Sequence, residues 1–112
     1  MNLTERHDGP VLSRVEGATA FLTLNRPDRL NAFDEETLAT LEACIQEAGL
    51  DPDVRAIVIA SGTPRAFSAG ADLKWLGAAS SAAEVASRAH RGHQTMNAVA
   101  DCPKPTIAAI EG

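Results

Sequence analysis

Ala66-Phe67-Ser68-Ala69-Gly70-Ala71-Asp72-Leu73-Lys74 is the stretch on which the fold of this chain turns. An apolar run over residues 54–60 precedes it, and the turn Ser61-Gly62-Thr63-Pro64 separates the two. Ala69, Gly70 and Ala71 leave the backbone almost bare, and Gly70 is free to take a positive φ where another molecule must come close. Asp72 is a good cap for a helix starting after it. N–H groups at a helix start lack intrahelical partners and carry the positive end of the dipole. The stretch is therefore suited to holding a negatively charged oxygen, although on these grounds alone a tight loop explains it as well.

Working outward, residues 11–16 and 19–25 are rich in β-branched and apolar types around Gly17-Ala18 and predict a hairpin. Phe21 and Thr23 fall on one face, Leu22 and Leu24 on the other. Pro27 ends the second strand. Asp34 predicts the start of a helix whose apolar face is Leu38, Leu41, Ile45 and Ala48, with Gly49 just past its end. Residues 54–60 predict a strand covered on both faces. Residues 72–76 predict about one helical turn. Ser81 and Glu84 predict a capping box for a helix reaching Asp101, with Val85, Ala89, Met96 and Val99 on its packed face. Residues 106–110 predict the last strand. Hairpin, helix, strand, helix and strand in this order make an α/β fold.

The 112 residues suffice for one small domain. A net charge of −5 argues against a nucleic-acid partner or an anionic membrane surface. No apolar run approaches the roughly 20 residues of a membrane span, and the polar N-terminus predicts no secretory signal, so the expected location is cytoplasmic. Cys44 and Cys102 lack metal-type spacing and are expected to be reduced. His90 and His93 would share one side of a helix, but no third ligand accompanies them, so no metal site is expected.

Four segments, in order, resemble the crotonase family of enoyl-CoA hydratases and isomerases. Ala66 to Lys74 resembles its F-x-A-G-A-D-[LI]-K signature. Asn25-Arg26-Pro27 with Leu30-Asn31-Ala32-Phe33 is similar to N-R-P-x-x-x-N-A-[LF]. Residues 55–62 resemble its central strand and turn, and residues 104–112 its K-P-[VT]-I-A-A-[VI]-x-G strand. Asp28 departs from the pattern, where relatives often place a lysine.

The resemblance implies a ββα spiral fold, of which residues 1–112 would be the N-terminal part. It covers roughly the first 40 per cent of an ordinary catalytic domain of the family, ending before the catalytic acids. It implies an acyl-CoA thioester as substrate, CoA being part of that substrate with no separate cofactor. For a complete family member the implied chemistry is hydration of a 2-enoyl-CoA, of the fatty-acid oxidation type, in a homotrimer or hexamer. The backbone N–H of Ala71 would be one of two donors to the thioester oxygen. Ala69, Gly70, Ala71, Asp72, Leu73, Lys74 and Arg65 would line the CoA site. Two other readings stand beside this one. The chain could be an inactive remnant or a CoA-binding or interaction module. More remotely, Ala66-Phe67-Ser68-Ala69-Gly70 is a variant of the G-x-S-x-G elbow, which would make Ser68 the nucleophile of a hydrolase.

Overall fold

The structure is a computed structural model that describes residues 2–112. Strands β1 (Val11–Glu16) and β2 (Thr19–Leu24) form the hairpin, joined by Gly17 at φ +61. A 3₁₀ turn (Pro27–Arg29) leads to α1 (Glu35–Leu50) and β3 (Ala56–Ser61). A short helix, α2 (Leu73–Gly77), precedes the long α3 (Ala82–Ala100) and β4 (Thr106–Ala109). The sheet order is β1-β2-β3-β4, antiparallel in the hairpin and parallel from β2 to β4.

Period-two alternation in β2 sends Ala20, Leu22 and Leu24 inward, as the sequence predicts. They meet Val11 from β1, Ile57 and Ile59 from β3, and Leu41, Cys44, Ile45 and Ala48 from α1 in one cluster. Burying each large aliphatic side chain contributes about 1.5–3 kcal/mol. Asp34 caps α1, accepting from the Thr37 N–H at 2.9 Å and the Thr37 hydroxyl at 2.6 Å.

Four expectations change. Gly49 lies inside α1, and Asp51 is the cap residue; the helix end is held by Lys104, whose Nζ donates to the Ala48 carbonyl at 2.7 Å and to the Asp51 carbonyl. β3 begins at Ala56, and only Ile57 and Ile59 are buried in it, since α1 covers one face of the sheet and α3 lies on α1 rather than on the opposite face. At the start of α3, the Ser81 hydroxyl accepts from the Glu84 N–H, but the Glu84 carboxylate takes the Ser80 N–H instead of completing the box.

The fourth change concerns the packed face of α3. Thr95 is the buried residue of that helix, its hydroxyl 3.3 Å from the Leu38 carbonyl, while Arg91 pairs with Glu35 and Glu42. Val85 and Met96 are each 44 % exposed, and Ala89 is exposed. Only Val99, with Ala98, packs on the core. Arg91 meets the acidic side chains of α1 and Thr95 the Leu38 carbonyl, so the apolar stripe faces away from α1.

Two stability outcomes follow. Ile45→Ala should cost about 2–5 kcal/mol in a urea titration. Gly49→Ala should stabilise by about 0.5–1 kcal/mol, because the added methyl would sit at ordinary contact distance, 3.6 Å, from Cys102 Sγ and Pro103 Cδ. A loss of stability in Gly49→Ala would show that the α1 end is more tightly closed than this.

Candidate functional site

Parallel pairing brings Leu24 level with Ser61, so the segments leaving β2 and β3 emerge side by side. The first is forced into a left-handed bend, with Leu30 at φ +51 and Asn31 at φ +55. Asn tolerates this region and Leu does not, so the bend stores about 1–2 kcal/mol that its surroundings must offset. The surroundings are the second segment, residues 62–72. The Ala69 N–H donates to the Leu30 carbonyl at 2.9 Å. The Ser68 hydroxyl donates to the Asn31 carbonyl at 2.8 Å and accepts from the Gly70 N–H at 3.1 Å. The Asn31 side-chain amide donates to Ser61 Oγ at 2.8 Å and to the Phe67 carbonyl at 3.0 Å.

Ala71 sits opposite Phe33 in an isolated parallel bridge. The Phe33 N–H donates to the Gly70 carbonyl at 2.8 Å, and the Phe33 carbonyl accepts from the Asp72 N–H at 2.9 Å. In such a bridge the middle residue turns its own N–H and carbonyl away from the partner. Of the N–H groups at positions 69 to 72, three are thus engaged. The Ala71 N–H has no partner among the described residues. Gly70 takes φ +92, the left-handed region its lack of a side chain permits.

Gly70 and Ala71 border an apolar cavity of about 420 Å³, walled by Phe33, Leu38, Leu76, Ala89 and Met96 among others. The stripe of α3 expected in the core therefore contributes to this cavity, and Met96, read from the sequence as a packing residue, is one of its walls. Arg88 and His93 are its titratable side chains. Arg88 donates to the Trp75 carbonyl and pairs with Glu84. Trp75 borders both this cavity and a second, charged one of about 440 Å³. In the second, the cations Arg26, Arg29 and Lys74 are outnumbered by Asp34, Glu35, Glu36 and Asp72.

Asp72 caps α2, accepting from the Lys74 N–H at 2.9 Å and the Trp75 N–H at 3.0 Å. Its other oxygen takes Arg26 Nη1 at 3.1 Å, while Arg26 Nη2 lies 3.4 Å from Asp34. The Trp75 N–H holds the Asp72 carboxyl below the usual carboxylate range, with Arg26 helping and burial opposing. In Asp34 burial pushes upward, but the Thr37 hydrogen bonds and Arg26 outweigh it, and its carboxyl also lies low.

The predicted site residues separate accordingly. Gly70 and Ala71 meet at the apolar cavity, and Asp72 and Lys74 at the charged one. Ala69 lines neither, its N–H being committed to Leu30. Leu73 is 82 % exposed and Arg65 is exposed, and both lie outside the two linings. Ser68 is occupied by Asn31 and Gly70, which accounts for its hydroxyl without a nucleophilic role. Among the described residues no group of three metal-ligating side chains occurs. Arg26, Asn31 and Trp75 also belong to these surroundings, although the sequence alone does not mark them as site residues. For the first two the available signal was their place in the Asn25-Arg26-Pro27 and Leu30-Asn31-Ala32 segments.

Residues 14–112 match the family model described as enoyl-CoA hydratase/isomerase. The chain belongs to the enoyl-CoA hydratase/isomerase family. It is 47% identical over 104 residues to a probable enoyl-CoA hydratase of Mycobacterium tuberculosis, covering 92% of this chain and 40% of the relative. It is 34% identical to the 1,2-epoxyphenylacetyl-CoA isomerase of Escherichia coli, covering 91% and 40%. Among solved structures, an enoyl-CoA hydratase/carnithine racemase from Magnetospirillum magneticum superposes with a TM-score of 0.89 at 28% identity, covering 99% of this chain and 42% of that one. A putative enoyl-CoA hydratase/isomerase (crotonase) from Legionella pneumophila gives 0.84 at 32%, covering 92% and 40%. The crotonase-type α/β fold expected from the sequence is thus present, and the chain spans about 40% of the length of these relatives. No helix among the described residues is long and apolar enough to cross a membrane.

The Asp72 carboxylate gives a pH dependence in a definite direction. A folded value below the unfolded one, about 3.9, means that ionisation favours the fold above that pH. The gain disappears as pH falls through the lower folded value. Asp72→Asn keeps a capping oxygen but loses the charge facing Arg26. It should be less stable than the parent at neutral pH, with the gap closing below about pH 4 in paired urea titrations. A gap that persists in acid would assign the effect to something other than the charge.

Proposed function

We propose that this chain forms an acyl-CoA thioester-binding wall and supplies one oxyanion donor, the Ala71 N–H. We further propose that, in a full-length protein of the family, the activity to which this part contributes is hydration of a 2-enoyl-CoA. CoA is part of the substrate, and no separate cofactor is invoked. The observation that carries the reading is the unpaired Ala71 N–H at the edge of an apolar cavity, with the N–H groups on either side of it already committed.

A donor held this way needs no reorganisation when charge develops on the thioester oxygen. It therefore favours the enolate-like transition state over the ground state. The apolar cavity suits an acyl chain. The charged cavity across Trp75 suits the polar CoA moiety only at selected points. Arg26 is neutralised by Asp34 and Asp72, so phosphate contact falls to Lys74 and Arg29. Asp72 acts as a cap and a counter-ion in this scheme, and Gly70 permits the close approach.

A second reading is binding without turnover. It is favoured by the lining of the apolar cavity, which includes no carboxylate among the described residues to act as acid or base. One experiment separates the two. Crotonyl-CoA is mixed with the chain, and its conjugated-thioester absorbance is followed. In parallel, binding is read from the fluorescence of Trp75, the single tryptophan.

Ala71→Pro deletes the N–H and should slow any turnover by about 100-fold or more, equivalent to roughly 3 kcal/mol, with far-UV circular dichroism checking the fold. Binding with no absorbance loss would leave the module reading. A folded Ala71→Pro variant with undiminished turnover and binding would overturn the donor assignment.

A further inference from the structure

Asn31 is 1 % exposed and uses every polar group it has. Its backbone N–H donates to the Arg26 carbonyl at 2.9 Å, and its Oδ1 accepts the Arg26 N–H at 2.7 Å. Its Nδ2 reaches Ser61 Oγ and the Phe67 carbonyl, and its carbonyl receives the Ser68 hydroxyl. Ser61 Oγ in turn lies 2.7 Å from the carbonyls of Thr63 and Ala66 and accepts the Thr63 N–H at 3.0 Å. One side chain therefore joins the end of β2, the end of β3 and the first half of the 62–72 loop.

The contacts run in sequence toward the proposed donor. Asn31 fixes Phe67 directly and fixes Ser68 through its carbonyl. Ser68 then holds the Gly70 N–H. Phe33, two residues beyond Asn31, holds Gly70 and Asp72 from the other side. The peptide plane that carries the Ala71 N–H is the one between Gly70 and Ala71. Its carbonyl end is tied to Phe33, and the Gly70 amide before it is tied to Ser68.

We propose that Asn31 is the positioning residue for the Ala71 N–H, acting through Phe67 and Ser68. This rests on the reading of Ala71 as an oxyanion donor. The left-handed bend at Leu30 and Asn31 is the conformation that presents the Asn31 carbonyl and amide to the loop together. Asparagine fits this position because it tolerates a positive φ and carries both a donor and an acceptor on a short side chain. Displacing a reacting contact by about 1 Å can cost on the order of 100-fold. Loss of the Asn31 or Ser68 links should therefore weaken thioester recognition before it weakens CoA recognition.

The test uses the full chain in four forms: parent, Asn31→Gly, Ser68→Ala and Ser68→Thr. Asn31→Gly retains the positive φ and the carbonyl that receives the Ser68 hydroxyl while deleting the side-chain links to Arg26, Ser61 and Phe67, and Ser68→Thr retains the hydroxyl. Trp75 fluorescence gives the affinity for acetoacetyl-CoA and for free CoA. ¹⁵N-edited NMR gives the shifts and hydrogen exchange of the Gly70 and Ala71 amides without any ligand. In Asn31→Gly and Ser68→Ala, the preference for the thioester over free CoA should fall about tenfold, within the cost of a displaced contact. Free-CoA affinity should stay within about twofold, both amides should shift and exchange faster, and Ser68→Thr should restore the parent values.

Unchanged amide signals and an unchanged preference, with only a lower melting temperature, would make Asn31 a packing residue and overturn the proposal. If the parent itself shows no preference for the thioester, the donor reading of Ala71 fails. The amide measurements then still decide whether Asn31 and Ser68 set the loop.

Discussion

The parallel pairing of β2 with β3 is the constraint from which the site follows. It aligns Leu24 with Ser61, so both strands end at one edge of the sheet. Loops leaving the carboxyl ends of neighbouring parallel strands form a crevice, the usual ligand position in sheets of this kind. An antiparallel arrangement would have sent the 25–34 and 62–72 segments to opposite edges. Then neither the Asn31 contacts nor the Phe33–Ala71 bridge could form. The crossover helix α1 makes the parallel pairing possible and also covers the inner face of the same strands through Leu41, Cys44, Ile45 and Ala48. Core packing and site geometry thus depend on one topological choice.

Within that crevice, hydrogen-bond accounting explains why small residues occupy positions 69 to 71. Backbone groups removed from water must find partners. Here they find them across the crevice, in Leu30 and Phe33, and in the hydroxyl of Ser68. Such close backbone approach is easiest where side chains are small. Asp72 then closes the segment electrostatically, because its charge is shared between the α2 N-terminus and Arg26. Arg26 also reaches Asp34 at the α1 N-terminus, so one guanidinium ties two helix starts to the strand that precedes it. The Ala71 N–H is left over by this accounting, exposed at the crevice rather than buried without a partner.

Local signals in the sequence were enough for much of this. The hairpin alternation, the α1 stripe at Leu38, Leu41, Ile45 and Ala48, and the caps at Asp34 and Asp72 all depend on neighbours within a few residues. The misread features depend on distant ones. Gly49 carries a helix-end signal, but the helix runs past it to Leu50, where Lys104 from a distant segment binds the Ala48 and Asp51 carbonyls. The α3 stripe has the right period for a core face, yet period alone does not say whether an apolar face meets a core or a cavity. Asn31 resembles any loop asparagine until Ser61, Phe67 and Ser68, thirty or more residues away, are brought to it. The segment containing it resembles that of the family, and the physical reason for an asparagine there lies in the contacts that the fold creates.

The two cavities beside Trp75 give the proposed chemistry a directional logic. They are of similar size, but one is walled by Phe33, Leu38, Leu76 and Met96 and the other by charged side chains. A ligand spanning them would need an apolar end and a polar end. Gly70 and Ala71 stand on the apolar side, close in sequence to Asp72 and Lys74 on the charged side. The junction of such a ligand would therefore pass near Ala71. An acyl-CoA thioester has this layout, with the carbonyl at the junction of its apolar and polar parts. On the proposed reading, the part of the apolar stripe of α3 that lines this cavity, Ala89 and Met96, would meet the acyl end of the ligand.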